Sequence, residues 1–209
     1  MQVARIYCFG DSIMTGTYDP QGGWCDRFKQ AMHRRTAESQ DGTKRQVYNL
    51  GVGGETSCGL VQRIAAELEA RHNPSWPAIV CIGIGKNDSR LKADGTPEVS
   101  LEEYEVNLRD CIAIAKKVTN KILLIGLGAC AEESLNFKDV TYTRTRLKEY
   151  DDVMEKVAQE LSIPRVPIYQ LLADASKDAF YRDGLHPSEH GYQLIYEHVS
   201  PEIMKLLED

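Results

Sequence analysis

The sequence predicts an α/β protein, a parallel sheet covered by helices on both faces, and three observations predict it. Short apolar, β-branched runs alternate with longer stretches whose apolar residues recur every three or four positions. Three of the short runs are apolar nearly throughout, the pattern of strands buried on both faces. The chain has 209 residues, 42% of them hydrophobic, which suits one α/β domain spanning 1–209 with a full core.

The strands are read at 3–9, 46–50, 78–84, 121–127 and 165–169. Between them, Leu60, Ile64 and Leu68 repeat every four residues. Leu101, Tyr104, Leu108, Cys111 and Ala115 keep a 3–4 spacing, as do Leu147, Tyr150, Met154, Val157 and Leu161. A shorter helix is expected over 24–35. The last helical region, 188–207, should break or kink at Pro201, with Ser200 capping the second piece. The order β-α-β-α-β-α-β-α-β-α calls for a parallel sheet. Two irregular stretches remain, 129–143 and 173–185, and long loops in compact domains are often functional.

Composition excludes several classes. The net charge of -6, with no basic stripe, argues against nucleic acid as a partner. No apolar stretch reaches the roughly 18 residues of a membrane span, and no secretory signal is read at the start. Six scattered cysteines without a C-x-x-C pair suit reduced thiols in the cytoplasm better than a disulfide framework or a zinc site. No metal or cofactor is expected, and nothing in the sequence specifies the oligomeric state.

In an open parallel sheet, ligands bind at the carboxyl ends of the strands. Those ends carry Gly10-Asp11-Ser12-Ile13, Asn49-Leu50-Gly51-Val52-Gly53-Gly54 and Gly85-Lys86-Asn87-Asp88; Asp183-Gly184-Leu185-His186 precedes the last helix. Together they supply what acyl transfer needs. Ser12 stands at a strand rim and becomes nucleophilic once a base takes its proton. His186 is suited to that role near neutral pH. Asp183, three residues earlier, can bond the far ring nitrogen and fix the tautomer. Gly54 and Ser12 offer backbone N–H groups, and Asn87 a side-chain amide, to a developing oxyanion. Asp11 and Asp88 read as supporting loop organisers.

The four clusters, in this order and spanning residues 10–186, resemble the blocks of the SGNH hydrolases, the GDSL lipase/esterase family. The resemblance implies Ser12 as nucleophile, Gly54 and Asn87 as oxyanion donors, and Asp183 with His186 completing a catalytic triad. It also implies a flavodoxin-like, three-layer α/β/α fold with five parallel strands. Ile13 stands where the family name has leucine, and Lys86 is an unusual neighbour for the block-three asparagine. The family spans esterases, thioesterases, lysophospholipases and carbohydrate deacetylases, so the resemblance implies a small-molecule ester substrate of small to medium acyl size without selecting it.

Other readings are weighed on the same residues. Ser12 would serve as a helix cap. The glycines at 51–54 and 83–85 lack the last glycine of a dinucleotide fingerprint. His186-Pro187-Ser188-Glu189-His190 spells an inverted zinc-protease motif, but Pro187 and Gly191 sit poorly inside the single helix it requires. A non-catalytic acyl- or carbohydrate-binding protein would not need the whole set. Tyr18 and Trp24 either pack the first helix or wall the acyl pocket. The loop carrying Leu135, Phe137 and Tyr142 is either a lid or wall of the substrate pocket, to which Leu135 and Phe137 would contribute, or packed on its own apolar side chains. Lys86 is either a solvated charge or a contact for an anionic or carbohydrate substrate.

Overall fold

The computed structural model describes residues 3–39 and 42–208. The elements run β1 Val3–Gly10, α1 Ser12–Thr15, α2 Gly23–Glu38, β2 Lys44–Gly51, α3 Ser57–Glu69, β3 Ala78–Gly83, β4 Leu91–Lys92, α4 Leu101–Lys116, β5 Ile122–Ile125, β6 Ser134–Asn136, β7 Val140–Thr143, α5 Arg144–Glu160, β8 Arg165–Val166, α6 Tyr169–Ala173 and α7 Glu189–Glu208. The main sheet has five strands in the order β2-β1-β3-β5-β8. All its pairings are parallel. Counted within the sheet this is the flavodoxin-like order, whose topological switch point falls between β1 and β3.

Period-two alternation along the strands divides the core into two layers. Tyr7, Phe9, Val80, Ile82 and Leu124 face one side and pack on Leu60 and Ile64 of α3, Leu108 of α4 and Met154 of α5. Ile6, Cys8, Ile79, Cys81, Leu123 and Ile125 face the other and pack on Trp24 and Phe28 of α2 and Ile195 and Val199 of α7. Each helix presents its apolar stripe to one face of the sheet. The six cysteines are free thiols, all buried except the half-buried Cys58.

The structure departs from the sequence reading at three places. The stretch 129–143 holds β6 and β7, which join β4 in a small antiparallel sheet of order β4-β7-β6. The fifth strand of the main sheet is only Arg165–Val166, because the chain turns into α6 at Tyr169. Pro201 does not break α7, which is continuous from Glu189 to Glu208. Pro201 and Glu197, whose carbonyl it leaves unpaired, are both exposed, so water can take that carbonyl. The opposite face, with Ile195, Val199 and Ile203, is locked into the core.

Candidate active site

The loops after β1, β2 and β3 meet at the switch point. Gly10 ends β1 where a Cβ would lie 2.5 Å from the Gly83 carbonyl, so only glycine lets the two strand ends approach. Asp11 caps α1, its Oδ1 accepting from the Ile13 N–H at 2.8 Å. Ser12 is therefore the first helical residue and not the cap, and its hydroxyl is free for other work.

The Asp183–His186 segment is an Asx-type turn. Asp183 Oδ1 accepts from the Leu185 N–H at 2.9 Å and the His186 N–H at 3.0 Å. Its Oδ2 lies 2.7 Å from His186 Nδ1. His186 Nε2 in turn lies 2.9 Å from Ser12 Oγ. With Asp183 ionised, Nδ1–H donates to the carboxylate, so Nε2 holds the lone pair and accepts from the serine hydroxyl. Burial alone would raise the Asp183 carboxyl, but the hydrogen bonds from His186 and Leu185 outweigh it and hold it below its usual range. Burial pulls His186 below its ordinary value of 6.5, against the opposing pull of Asp183. Near neutral pH the pair is thus a carboxylate and a neutral imidazole, the state that can deprotonate an alcohol.

Gly54 follows β2 and Asn87 follows β3, the two strands that flank β1 in the sheet. Gly54 sits at φ +77° in open space, a left-handed conformation that favours glycine. Asn87 Nδ2 donates to the Glu55 carbonyl at 3.0 Å, tying the third loop to the second beside Gly54. Asn87 Oδ1 accepts from the Tyr142 hydroxyl at 2.9 Å, which fixes which way the amide faces. Asp88 accepts from the Ser57 N–H at 3.0 Å and 3.1 Å and from the Ser57 hydroxyl, clamping the head of α3. Burial pushes both supporting carboxyls, Asp11 and Asp88, up to about 6.

The remaining sequence-predicted residues are placed differently from one another. Tyr18 is 54% exposed, stacks on Tyr181 with centroids 4.1 Å apart, and meets His186 edge-on at 5.2 Å. Its φ of +68° is strained for a non-glycine residue. Trp24 is fully buried and lines, with Asp11, Ile13 and Lys86, a cavity of only about 30 Å³. Trp24 belongs to the core cluster that holds Met14, Phe28 and Tyr192. Leu135 packs with Leu185 and Tyr142 in a small satellite core, and Phe137 lies edge-on to Tyr142 at 5.9 Å. Lys86 is buried, contrary to a solvated reading, and its Nζ donates inward to the Leu185 carbonyl at 2.8 Å and the Gly128 carbonyl at 3.3 Å. His190 turns away from His186 to meet Asp178 at 2.9 Å on the surface, so the two histidines share no centre. Sequence reasoning missed Tyr181 and the polar role of Tyr142; the only signal for Tyr142 was an aromatic in an otherwise polar loop.

Residues 8–194 match the GDSL-like lipase/acylhydrolase family. The chain is 27% identical to the human isoamyl acetate-hydrolyzing esterase 1 homolog, over 96% of this chain and 82% of that protein. It is 25% identical to the isoamyl acetate-hydrolyzing esterase of Saccharomyces cerevisiae, over 100% of this chain and 87% of that one. A lipase/acylhydrolase from Enterococcus faecalis superposes with a TM-score of 0.71 at 22% identity, covering 98% of this chain and 96% of that structure, and shares the fold. The chain belongs to the GDSL-like lipase/acylhydrolase family and is a hydrolase of carboxylic esters.

Proposed function

We propose that the chain is a single-domain serine esterase that cleaves esters of small to medium acyl groups through an acyl-enzyme. The observation that carries this reading is the continuous Asp183–His186–Ser12 hydrogen-bond chain, 2.7 Å and 2.9 Å. Ser12 Oγ attacks the ester carbonyl as His186 Nε2 takes its proton, with Asp183 stabilising the imidazolium. The carbonyl oxygen becomes an oxyanion and receives the Gly54 and Ser12 N–H groups and the second hydrogen of the Asn87 amide. Expulsion of the alkoxide follows, with the proton returned by His186. Water, deprotonated by the same histidine, attacks the acyl-serine and releases the acid. Each oxyanion donor of this kind is worth about 10²–10³ in rate.

His186 hands its proton to the leaving alcohol, so the alcohol lies on the Tyr18–Tyr181 side. The Phe137–Tyr142 edge of the β6–β7 hairpin lies on the Asn87 side. The yeast and human relatives carry names for isoamyl acetate hydrolysis, which favours a short acyl group and an apolar alcohol here. The test is turnover of p-nitrophenyl acetate and isoamyl acetate by the wild type and Ser12→Ala. Wild-type turnover that disappears in the variant is expected; equal turnover by both would remove Ser12 from the mechanism. Six free thiols suit a reducing compartment, and on that ground the enzyme is assigned to the cytoplasm. A tagged chain found in an oxidising compartment would contradict the assignment.

A further inference from the structure

Lys86 is a buried cation that the acyl-transfer steps do not use. It leaves the end of β3 and crosses under the site to two other loops. One contact is the Gly128 carbonyl after β5, the other the Leu185 carbonyl inside the Asp183–His186 turn. It is 4% exposed, and among the described residues it makes no ion pair. A buried ammonium without a salt-bridge partner is costly, and such groups persist where the surrounding structure is organised around them. Here the organisation is specific. The carbonyl it holds belongs to the residue directly before His186, so the position of the ammonium and that of the imidazole are linked through one peptide unit.

We propose that Lys86 is a positioning residue for ester hydrolysis, holding the Leu185 carbonyl so that His186 stays against Ser12. The proposal rests on the reading of Ser12 and His186 as the reacting pair. Titratable and charged groups face both partners from every neighbouring element. His186 meets Asp183 on its own turn, Lys86 from the β3 loop and Tyr18 from the loop after α1. Lys86 faces Asp11 after β1, Cys130 after β5 and Asp183. Burial lowers the imidazole most, Asp183 binds it directly and favours its charged form, and Lys86 adds a smaller push toward the neutral form. A base poised between these two charges keeps its lone pair at lower pH than the carboxylate alone would allow.

The experiment is the pH profile of kcat/KM on p-nitrophenyl acetate for wild type, Lys86→Met and Lys86→Arg, with folding checked by circular dichroism. Lys86→Met keeps the length and loses both the charge and the donor to Leu185; its kcat should fall about tenfold, with the acid limb moving to higher pH. Lys86→Arg keeps the charge, and its limb should stay at the wild-type position. Wild-type kcat in Lys86→Met, or equal losses of kcat in both variants, overturns the proposal and leaves a packing role. Should Lys86→Met fail to fold, nitrogen NMR of the wild-type lysine side chains decides. A protected Lys86 ammonium resonance that responds as His186 titrates is expected; a neutral amine or a freely exchanging signal overturns the proposal. Loss of turnover in Ser12→Ala upholds the underlying reading in every arm, so the two claims fail separately.

Discussion

Tyr142→Phe removes one oxygen and nothing else from the satellite core that also holds Leu147 and Leu185. The lost hydroxyl is the one that donates to Asn87 Oδ1 at 2.9 Å. Asn87 is 5% exposed, so its oxygen would lose its partner in a nearly dry setting. An unmet buried acceptor of this type costs about 1–3 kcal/mol, part of which the amide recovers by rotating. In the proposed mechanism rotation harms catalysis, because it takes the amide hydrogen away from the oxyanion. If about 1.4 kcal/mol of the donor's contribution is lost, kcat falls about tenfold with KM nearly constant. Asn87→Ala removes the donor outright and should lose about 10²–10³ in kcat. In the double variant the tyrosine has no amide left to orient, so it should be no slower than Asn87→Ala. Steady-state kinetics on p-nitrophenyl acetate measures all three. Wild-type kcat in Tyr142→Phe, or losses that multiply in the double variant, would refute the orienting role.

Other expectations follow from the same geometry. Because burial lowers His186, the acid limb of kcat/KM should fall below pH 6.5, and activity should be lost as pH drops and the base takes up its proton; a limb above pH 7 would contradict this. His186→Ala should lose nearly as much as Ser12→Ala, since the groups act as a unit, and a loss of only a few-fold would point to another base. Asp11 carries a folded carboxyl raised to about 6 from 3.8, so the fold bears a cost that is absent below pH 3.8 and complete above pH 6. Asp11→Asn keeps an acceptor for the Ile13 N–H and removes the charge. Its stability relative to wild type should therefore improve by up to about 3 kcal/mol between pH 4 and pH 7 in thermal melts; a pH-independent difference would sink the idea. Tyr18→Ala should lower kcat/KM about 2–10-fold for an aryl ester and less for ethyl acetate, the value of one ring contact, and equal losses would place the alcohol elsewhere.

The parts legible in the sequence are those where local pattern and burial coincide. Strands buried on both faces, such as Ala78–Gly83, leave no polar position to confuse the reading. The glycines and polar residues that follow them mark where the core stops, which brought out Ser12, Asp183 and His186, whose side chains are joined by hydrogen bonds. Less was legible where the deciding partner lies far along the chain. Lys86 looks solvated until the Leu185 carbonyl, 99 residues away, is in place. Tyr142 looks like a pocket wall until Asn87, 55 residues away, meets its hydroxyl. The β6–β7 hairpin is built from three- and four-residue strands, too short for alternation to show. Pro201 misled because a helix end is inferred from the missing N–H alone, whereas the buried face of α7 outweighs one lost bond.

Trapping the nucleophile tests the account's central claim most directly. A fluorophosphonate reacts with an activated serine, and the site of the adduct can be read by peptide mass spectrometry. The adduct should lie on the peptide carrying Ser12, form at a rate that rises with deprotonation of His186, and vanish in Ser12→Ala together with ester turnover. An adduct on another residue, or turnover that survives in Ser12→Ala, would contradict the account.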